Sequence, residues 1–259
     1  MPAGTAPSKR PHSPMRTTKA QQAQSHRLLI RTAVDLMTQH GFDGTTMKQI
    51  ARAADMGDAT IYKYFPSKEK LVLAYFEQAV EDALAAMRKT KGLDKFVLQE
   101  RMQLLVDHLL ETLLPDREFV ALAHQLLNKA PLAMLSGTLP GKALLQAAFA
   151  EMLEATQASG EIPPCGFQGS LSSLMADYVY AVLGFWLRDT SDGFADTTRM
   201  TDLSLGVLTL ALRSGLVDRL LELGGFLLRS QLARLLQPGG GWLDLMQRAR
   251  QTLQTPKTP

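Results

Sequence analysis

Between Thr45 and Lys70 the chain reads TTMKQIARAADMGDATIYKYFPSKEK. Thr60, Tyr62, Lys63 and Tyr64 fall within five positions, with Thr46 and Lys48 upstream and Lys68 just beyond. These side chains supply hydroxyls, ammonium groups and aromatic faces. They are not the paired carboxylates, histidine clusters or nucleophile–base sets of catalysis. Such groups suit a polyanion. Ammonium and hydroxyl groups meet phosphates, lysine can read a guanine edge, and a tyrosine ring can pack on a thymine methyl.

The elements that must hold them are short helices. Thr46-x-x-Gln49 is a capping box, so a helix starts near Met47. Met47, Ile50, Ala51 and Ala54 share one face of it. Ala54-Asp55-Met56-Gly57 makes a corner, and Asp58 to Phe65 forms the next helix, stopped by Pro66. Ile61, Phe65 and Met56 point inward by spacing, while Asp58, Ala59, Tyr62 and Lys63 fall opposite. Two short helices joined by such a corner form a helix-turn-helix, whose second helix can enter a major groove. Before it, Gln24 to His40 reads as a helix ending at Gly41 in a left-handed residue, with Phe42 folding back on Met37. After it, Ser67 can cap a long helix reaching about Lys89, with Glu69 in its first turn.

The stretch resembles the tetracycline-repressor (TetR) family of bacterial regulators. The resemblance rests on Gly41-Phe42, Thr46, Ile50-Ala51, Thr60-Ile61-Tyr62-Lys63-Tyr64-Phe65-Pro66-Ser67-Lys68 and Leu71. It implies that Thr46 and Lys48 meet phosphate and a base edge, and that Thr60, Tyr62 and Lys63 lie in the groove of an operator. It implies further that Tyr64 hydrogen-bonds a phosphate and that Lys68 holds another beside a helix N-terminus. Plain alternatives stand beside these roles: Tyr64 as a core residue, and Lys48, Lys63 and Lys68 as solvated lysines. Two positions depart from the family pattern. Asp55 stands where glycine is usual, and aspartate tolerates the left-handed conformation. Gly57 stands where Ser or Thr is frequent and is the weaker cap. Asp58 can favour its helix N-terminus, accept from a cytosine amine or repel phosphate.

Charge supports the same reading. The net charge of +3 is uneven: residues 1–90 carry 13 Lys/Arg against 8 Asp/Glu, the remainder 15 against 17, and no acid precedes Asp35. Residues 1–22, rich in proline and basic side chains, read as a disordered basic arm. The single cysteine, Cys165, excludes an intramolecular disulfide and a multi-cysteine metal site. No signal-peptide core opens the chain. The apolar run Leu203 to Leu212 ends at Arg213, short of the roughly 20 residues of a membrane span. A cytoplasmic protein with no membrane partner, cofactor or metal is expected. With no nucleophile elbow and no phosphate-binding glycine loop, an enzyme is not expected.

The fold expected is all-α. Helices are placed near 94–113, 116–129, 140–158, 168–189, 196–213, 216–236 and 242–253, with Gly224-Gly225 weakening or kinking the 216–236 segment. The domains expected are 23–83, a three-helix helix-turn-helix domain, and 84–259, a larger helical domain. The resemblance makes the latter a ligand-binding and homodimerisation domain, paired through helices near 168–189 and 196–213. Met102, His108, Phe119, His124, Met152, Tyr178 and Trp186, with Met134 and Phe149, are candidates to line its effector pocket; each can equally be core. The leucine and methionine content points to a hydrophobic or amphipathic small-molecule effector.

The resemblance alone makes the expected function that of a dimeric repressor on a palindromic operator, released by such an effector. The Phe185–Leu205 junction is also similar to the helix-loop-helix junction of a regulator subgroup and to that of a lipid-binding protein on the same fold. That leaves a lipid-binding accessory protein without DNA binding as the alternative. Arg188, Asp189, Asp192 and Asp196 in that junction can simply cap and staple two helix ends.

Overall fold

The computed structural model describes residues 18–129 and 139–236, and among these there is no strand. The helices are α1 (Lys19–Gly44), α2 (Met47–Ala53), α3 (Asp58–Tyr64), α4 (Lys68–Arg88) and α5 (Leu98–Leu113). They continue with α6 (Arg117–Lys129), α7 (Lys142–Ala158), α8 (Gln168–Trp186), α9 (Ala195–Arg213) and α10 (Leu216–Leu236). The expected helices from 94 to 236 are present to within a few residues. The basic arm up to residue 17, Met134 and the expected 242–253 helix lie outside the described residues.

α1 begins at Lys19, inside the expected arm. Thr18 caps it: the Thr18 hydroxyl accepts from the Gln21 N–H at 3.3 Å, and the Gln21 side chain accepts from the Thr18 N–H at 2.9 Å. Gly41 does have positive φ (75°), but its ψ of 167° is extended, not left-handed helical. The chain therefore kinks there and takes one more turn through Gly44, instead of ending as expected. α10 spans Gly224-Gly225 as a single helix, Leu216–Leu236.

The helices divide into two compact units. One takes the described part of Met1–Asp82 together with Glu111–Gly141, so α6 groups with the N-terminal helices. Its core is Leu29, Ile30, Ala33, Val34 and Met37 of α1, Ile50 and Ala51 of α2, Ile61 of α3, and Leu71 and Tyr75 of α4. The Tyr75 ring meets Phe119 of α6 edge-on at 4.9 Å. Gly141 (φ 75°) lies so close to Val80 that a Cβ would stand 2.9 Å from a valine methyl.

The other unit takes Ala83–Leu110 and the chain from Lys142 onward. Its α7 and α8 pack along each other, burying Leu145, Phe149, Leu153, Met175, Val179 and Trp186. The Glu161 carboxylate accepts from the Leu98 N–H at 3.1 Å and from Arg213 at 2.6 Å, tying the start of α5 to the end of α9. Asp189 takes the stapling role open to it: its two oxygens accept from the backbone and hydroxyl groups of Ser191 and Thr197 at 2.6–2.8 Å. This network holds Phe194 at φ 58°, a conformation that bulky residues rarely adopt.

Candidate nucleic-acid interface

The corner between α2 and α3 is built by backbone hydrogen bonds. Ala54 ends α2, Asp55 is left-handed (φ 54°), and its N–H donates to the Arg52 carbonyl at 3.1 Å. The Met56 N–H reaches back to the Ala51 carbonyl at 2.8 Å. Together these make a Schellman ending with aspartate in the usual glycine position, as tolerated by its short polar side chain. Thr46 caps the other end of α2, exchanging hydrogen bonds with Gln49 at 2.7 and 3.3 Å. A cap of this kind is worth about 1 kcal/mol.

α3 is anchored by Ile61 and Phe65, both buried. Opposite them Tyr62 is 53% exposed, and Ala59 and Lys63 are also exposed. Asp58, Thr60 and Tyr64 are half-buried. Gly57 caps α3 without a side-chain bond. The outward face of α3 therefore keeps its hydroxyl, ring and ammonium open to solvent within the unit that carries it. Lys48, largely exposed on α2, stands 4.0 Å from Asp58, so part of the acid's charge is met within the protein.

Lys68 has a partner that sequence reasoning did not supply. Its ammonium donates to the Phe42 carbonyl at 2.5 Å and lies 4.3 Å above the Phe42 ring. Thr45, fully buried, donates its hydroxyl to the Gly41 carbonyl at 2.8 Å. Both bonds fasten the turn after the α1 kink and so set where α2 begins. Ser67 caps α4, accepting from the Lys70 N–H at 3.4 Å. Its hydroxyl also holds the Glu69 carboxyl below the usual carboxylate range.

The candidate effector residues fall in both units. Phe119 and His124 belong to the N-terminal unit; Met102, His108, Met152, Tyr178 and Trp186 belong to the other. Met102, Phe119, Phe149 and Trp186 are buried core. The Tyr178 hydroxyl is hydrogen-bonded to Ser204 at 2.7 Å. Met152 lines a cavity of about 260 Å³ with Leu84, Met87, Leu93, Ala148 and the charged Arg88, Asp94, Arg101 and Glu151. Arg101, which no pattern in the sequence singles out, gives one guanidinium N–H to the Asp94 carbonyl at 3.1 Å, and its buried Nε has no hydrogen-bond partner. Among the described residues no group of side chains could hold a metal ion, and no helix is long and apolar enough to cross a membrane.

Comparison with known proteins agrees with this geometry. Residues 29–75 match the model of bacterial regulatory proteins of the tetR family. Residues 101–227 match that of the tetracyclin repressor-like C-terminal domain. The chain is 33% identical over 103 residues to the HTH-type transcriptional regulator YuxN of Bacillus subtilis, covering 38% of this chain and 34% of YuxN. It is 37% identical over 60 residues to RutR of Escherichia coli, covering 23% of this chain and 28% of RutR. The match thus spans about a third of the length of these relatives. UidR of Escherichia coli is 26% identical over 179 residues, covering 64% of this chain and 82% of UidR. Among solved structures, Salmonella enterica GusR has a TM-score of 0.53 at 23% identity, over 76% of this chain and 98% of that one. A TetR regulator from Nitrosomonas europaea reaches 0.55 at 20% identity, over 71% and 97%. With an intact helix-turn-helix at one end and a matched helical domain beyond it, the chain belongs to the tetR family of bacterial regulatory proteins.

Proposed function

We propose that the protein is a cytoplasmic transcriptional repressor that binds a palindromic DNA operator as a homodimer and is released by a small hydrophobic or amphipathic effector. The observation that carries this reading is the outward face of α3. Tyr62 and Lys63 project from a helix pinned by buried Ile61 and Phe65. Residues 23–83 would form the DNA-binding domain, with Thr46, Lys48, Tyr64 and Lys68 on backbone phosphates and Thr60, Tyr62 and Lys63 towards base edges. The remainder would bind the effector and pair two copies through the apolar residues that α8 and α9 leave exposed: Leu174, Phe185, Leu203, Val207 and Leu210. Pairing sets the two α3 helices for successive major grooves, about 34–36 Å apart.

The cavity beside Met152 supports the effector part of the reading. Its apolar side chains suit a hydrocarbon body, and Arg101 in its lining offers a polar anchor. An effector need only prefer the conformation whose α3 helices no longer match the operator.

The test is a titration of purified protein with fragments of the DNA upstream of its own gene, across a range of salt. Specific binding whose logarithm falls linearly with the logarithm of salt concentration is expected. Persistent failure to bind any such fragment, with lipid retained by the purified protein, would favour the lipid-binding accessory role instead.

A further inference from the structure

Arg101 leaves a buried donor unmet beside an apolar cavity. A guanidinium carries several N–H donors and no acceptor. One of them goes to the Asp94 carbonyl at 3.1 Å, a neutral partner, while the buried Nε–H has none. A buried donor without a partner costs free energy that a ligand acceptor would recover. The other charged residues of the lining, Arg88, Asp94 and Glu151, are exposed, whereas Arg101 is half-buried. Glu151 stands 4.0 Å from Arg88, so part of its charge is met there. Every residue of the lining lies in the unit that begins at Ala83.

The chemistry of the occupant follows from these groups. Leu84, Met87, Ala148 and Met152 are buried and offer a hydrocarbon surface, with Leu93 half-buried beside them. A carboxylate is the acceptor that matches a guanidinium best, because it takes two parallel N–H bonds at once. The formal charges of Arg88, Arg101, Asp94 and Glu151 cancel. Arg101 can hold a single negative charge, but a second would be repelled by Asp94 and Glu151, which disfavours a phosphate dianion. The cavity, about 260 Å³, lies just under the roughly 300–1,000 Å³ of drug-sized sites, so the ligand is small.

We propose that this cavity takes a small amphiphilic monocarboxylate, with its apolar part against Met87 and Met152 and its carboxylate on Arg101. This rests on the effector reading above and narrows it: the charge of the ligand, and not only its greasy body, decides what binds.

The test is calorimetric titration of the full chain with octanoate, octanol, octyl phosphate and octylamine, at constant ionic strength and with each probe monomeric. Octanoate should bind at least about tenfold more tightly than each of the other three. In Arg101→Gln that preference over octanol should vanish, and in Arg101→Lys part of it should remain, with melting showing both variants folded. Equal affinity of the wild type for octanoate and octanol would overturn the proposal, and that comparison needs no variant. Tighter binding of the phosphate or the amine would overturn it too, as would no binding of any probe. A preference for octanoate that survives in Arg101→Gln would place the carboxylate elsewhere and overturn it equally. Operator affinity is read separately. Octanoate held through Arg101 without any change in operator affinity would uphold the carboxylate site and sink the effector reading. Release of the operator by octanol as readily as by octanoate would keep the effector reading and sink the carboxylate.

Discussion

Arg31 of α1 grips Asp116, just before α6, through both carboxylate oxygens at 2.7 and 2.9 Å. The Tyr75 hydroxyl of α4 adds a hydrogen bond to the same carboxylate at 3.2 Å, and Arg31 also pairs with Asp35 at 2.9 Å. Three helices of the N-terminal unit thus meet at one acid, whose side chain is only 10% exposed. Burial works against the Arg31 charge, but the hydrogen bond and attraction from Asp116, with that of Asp35, more than offset it, and its pKa is raised. Burial first, then Asp116, pushes the Tyr75 phenol above its ordinary value, so it remains a neutral donor.

Asp116→Ala should therefore cost about 1–3 kcal/mol by removing the acceptor of Arg31 and Tyr75 in a largely buried place. Arg31 is more than half exposed, so Arg31→Ala should cost less, about 1 kcal/mol or under. Urea denaturation of the two variants checks the order. Equal losses would mean that Asp116 matters only through the ion pair.

His26 packs against the Phe65 ring at 4.6 Å, at the end of α3. Burial lowers its pKa from 6.5, against smaller raising effects from Glu81 and Glu77. The unfolded chain then takes up a proton before the folded one does. The stabilising contribution is complete above 6.5 and is lost as pH falls through the lower folded value. Melting temperatures at about pH 7.5 and about pH 5.5 should fall further for the wild type than for His26→Gln. The same drop in both would remove His26 from the pH response.

Asp189 behaves as a depressed carboxylate. Hydrogen bonds from Ser191 and Thr197 hold it well below its ordinary value of 3.8. Its contribution is present above 3.8 and declines as pH falls through the folded value. Asp189→Ala should lower the melting temperature at neutral pH, and the gap to wild type should narrow in strong acid. A gap that is constant with pH would show that packing, not the charge, holds the α8–α9 junction.

Lys68 has three N–H donors and spends one on the Phe42 carbonyl. Lys68→Met should lower the melting temperature and also reduce the salt slope of operator binding by about one unit. Lys48→Ala, at an exposed pair with Asp58, should change the slope with little effect on melting. Loss of stability alone in Lys68→Met would confine Lys68 to the turn.

The parts legible in the sequence are those set by neighbours along the chain. The Thr46–Gln49 cap, the Asp55 corner and the Pro66 stop each depend on residues within a few positions. The Thr18-x-x-Gln21 cap carries the same signal, yet its place beside a proline-rich basic stretch hides it. Contacts between distant positions have no such signal: Arg31 with Asp116 is 85 residues apart, and Lys68 with Phe42 is 26. Gly41 shows a related limit, because a glycine signals positive φ but not which ψ goes with it. The leucine and methionine content speaks for a greasy interior without saying which residues face a cavity; Met102, Phe119 and Trp186 are buried.

The most direct measurement is the affinity of the Tyr62→Ala, Lys63→Ala double variant for operator DNA, beside its affinity for unrelated DNA of equal length. Each base-edge contact is worth about 1–3 kcal/mol, so specific affinity should fall by at least about tenfold while the fold, read by melting, is retained. Specific affinity within about twofold of wild type would contradict the assignment of α3 to the groove.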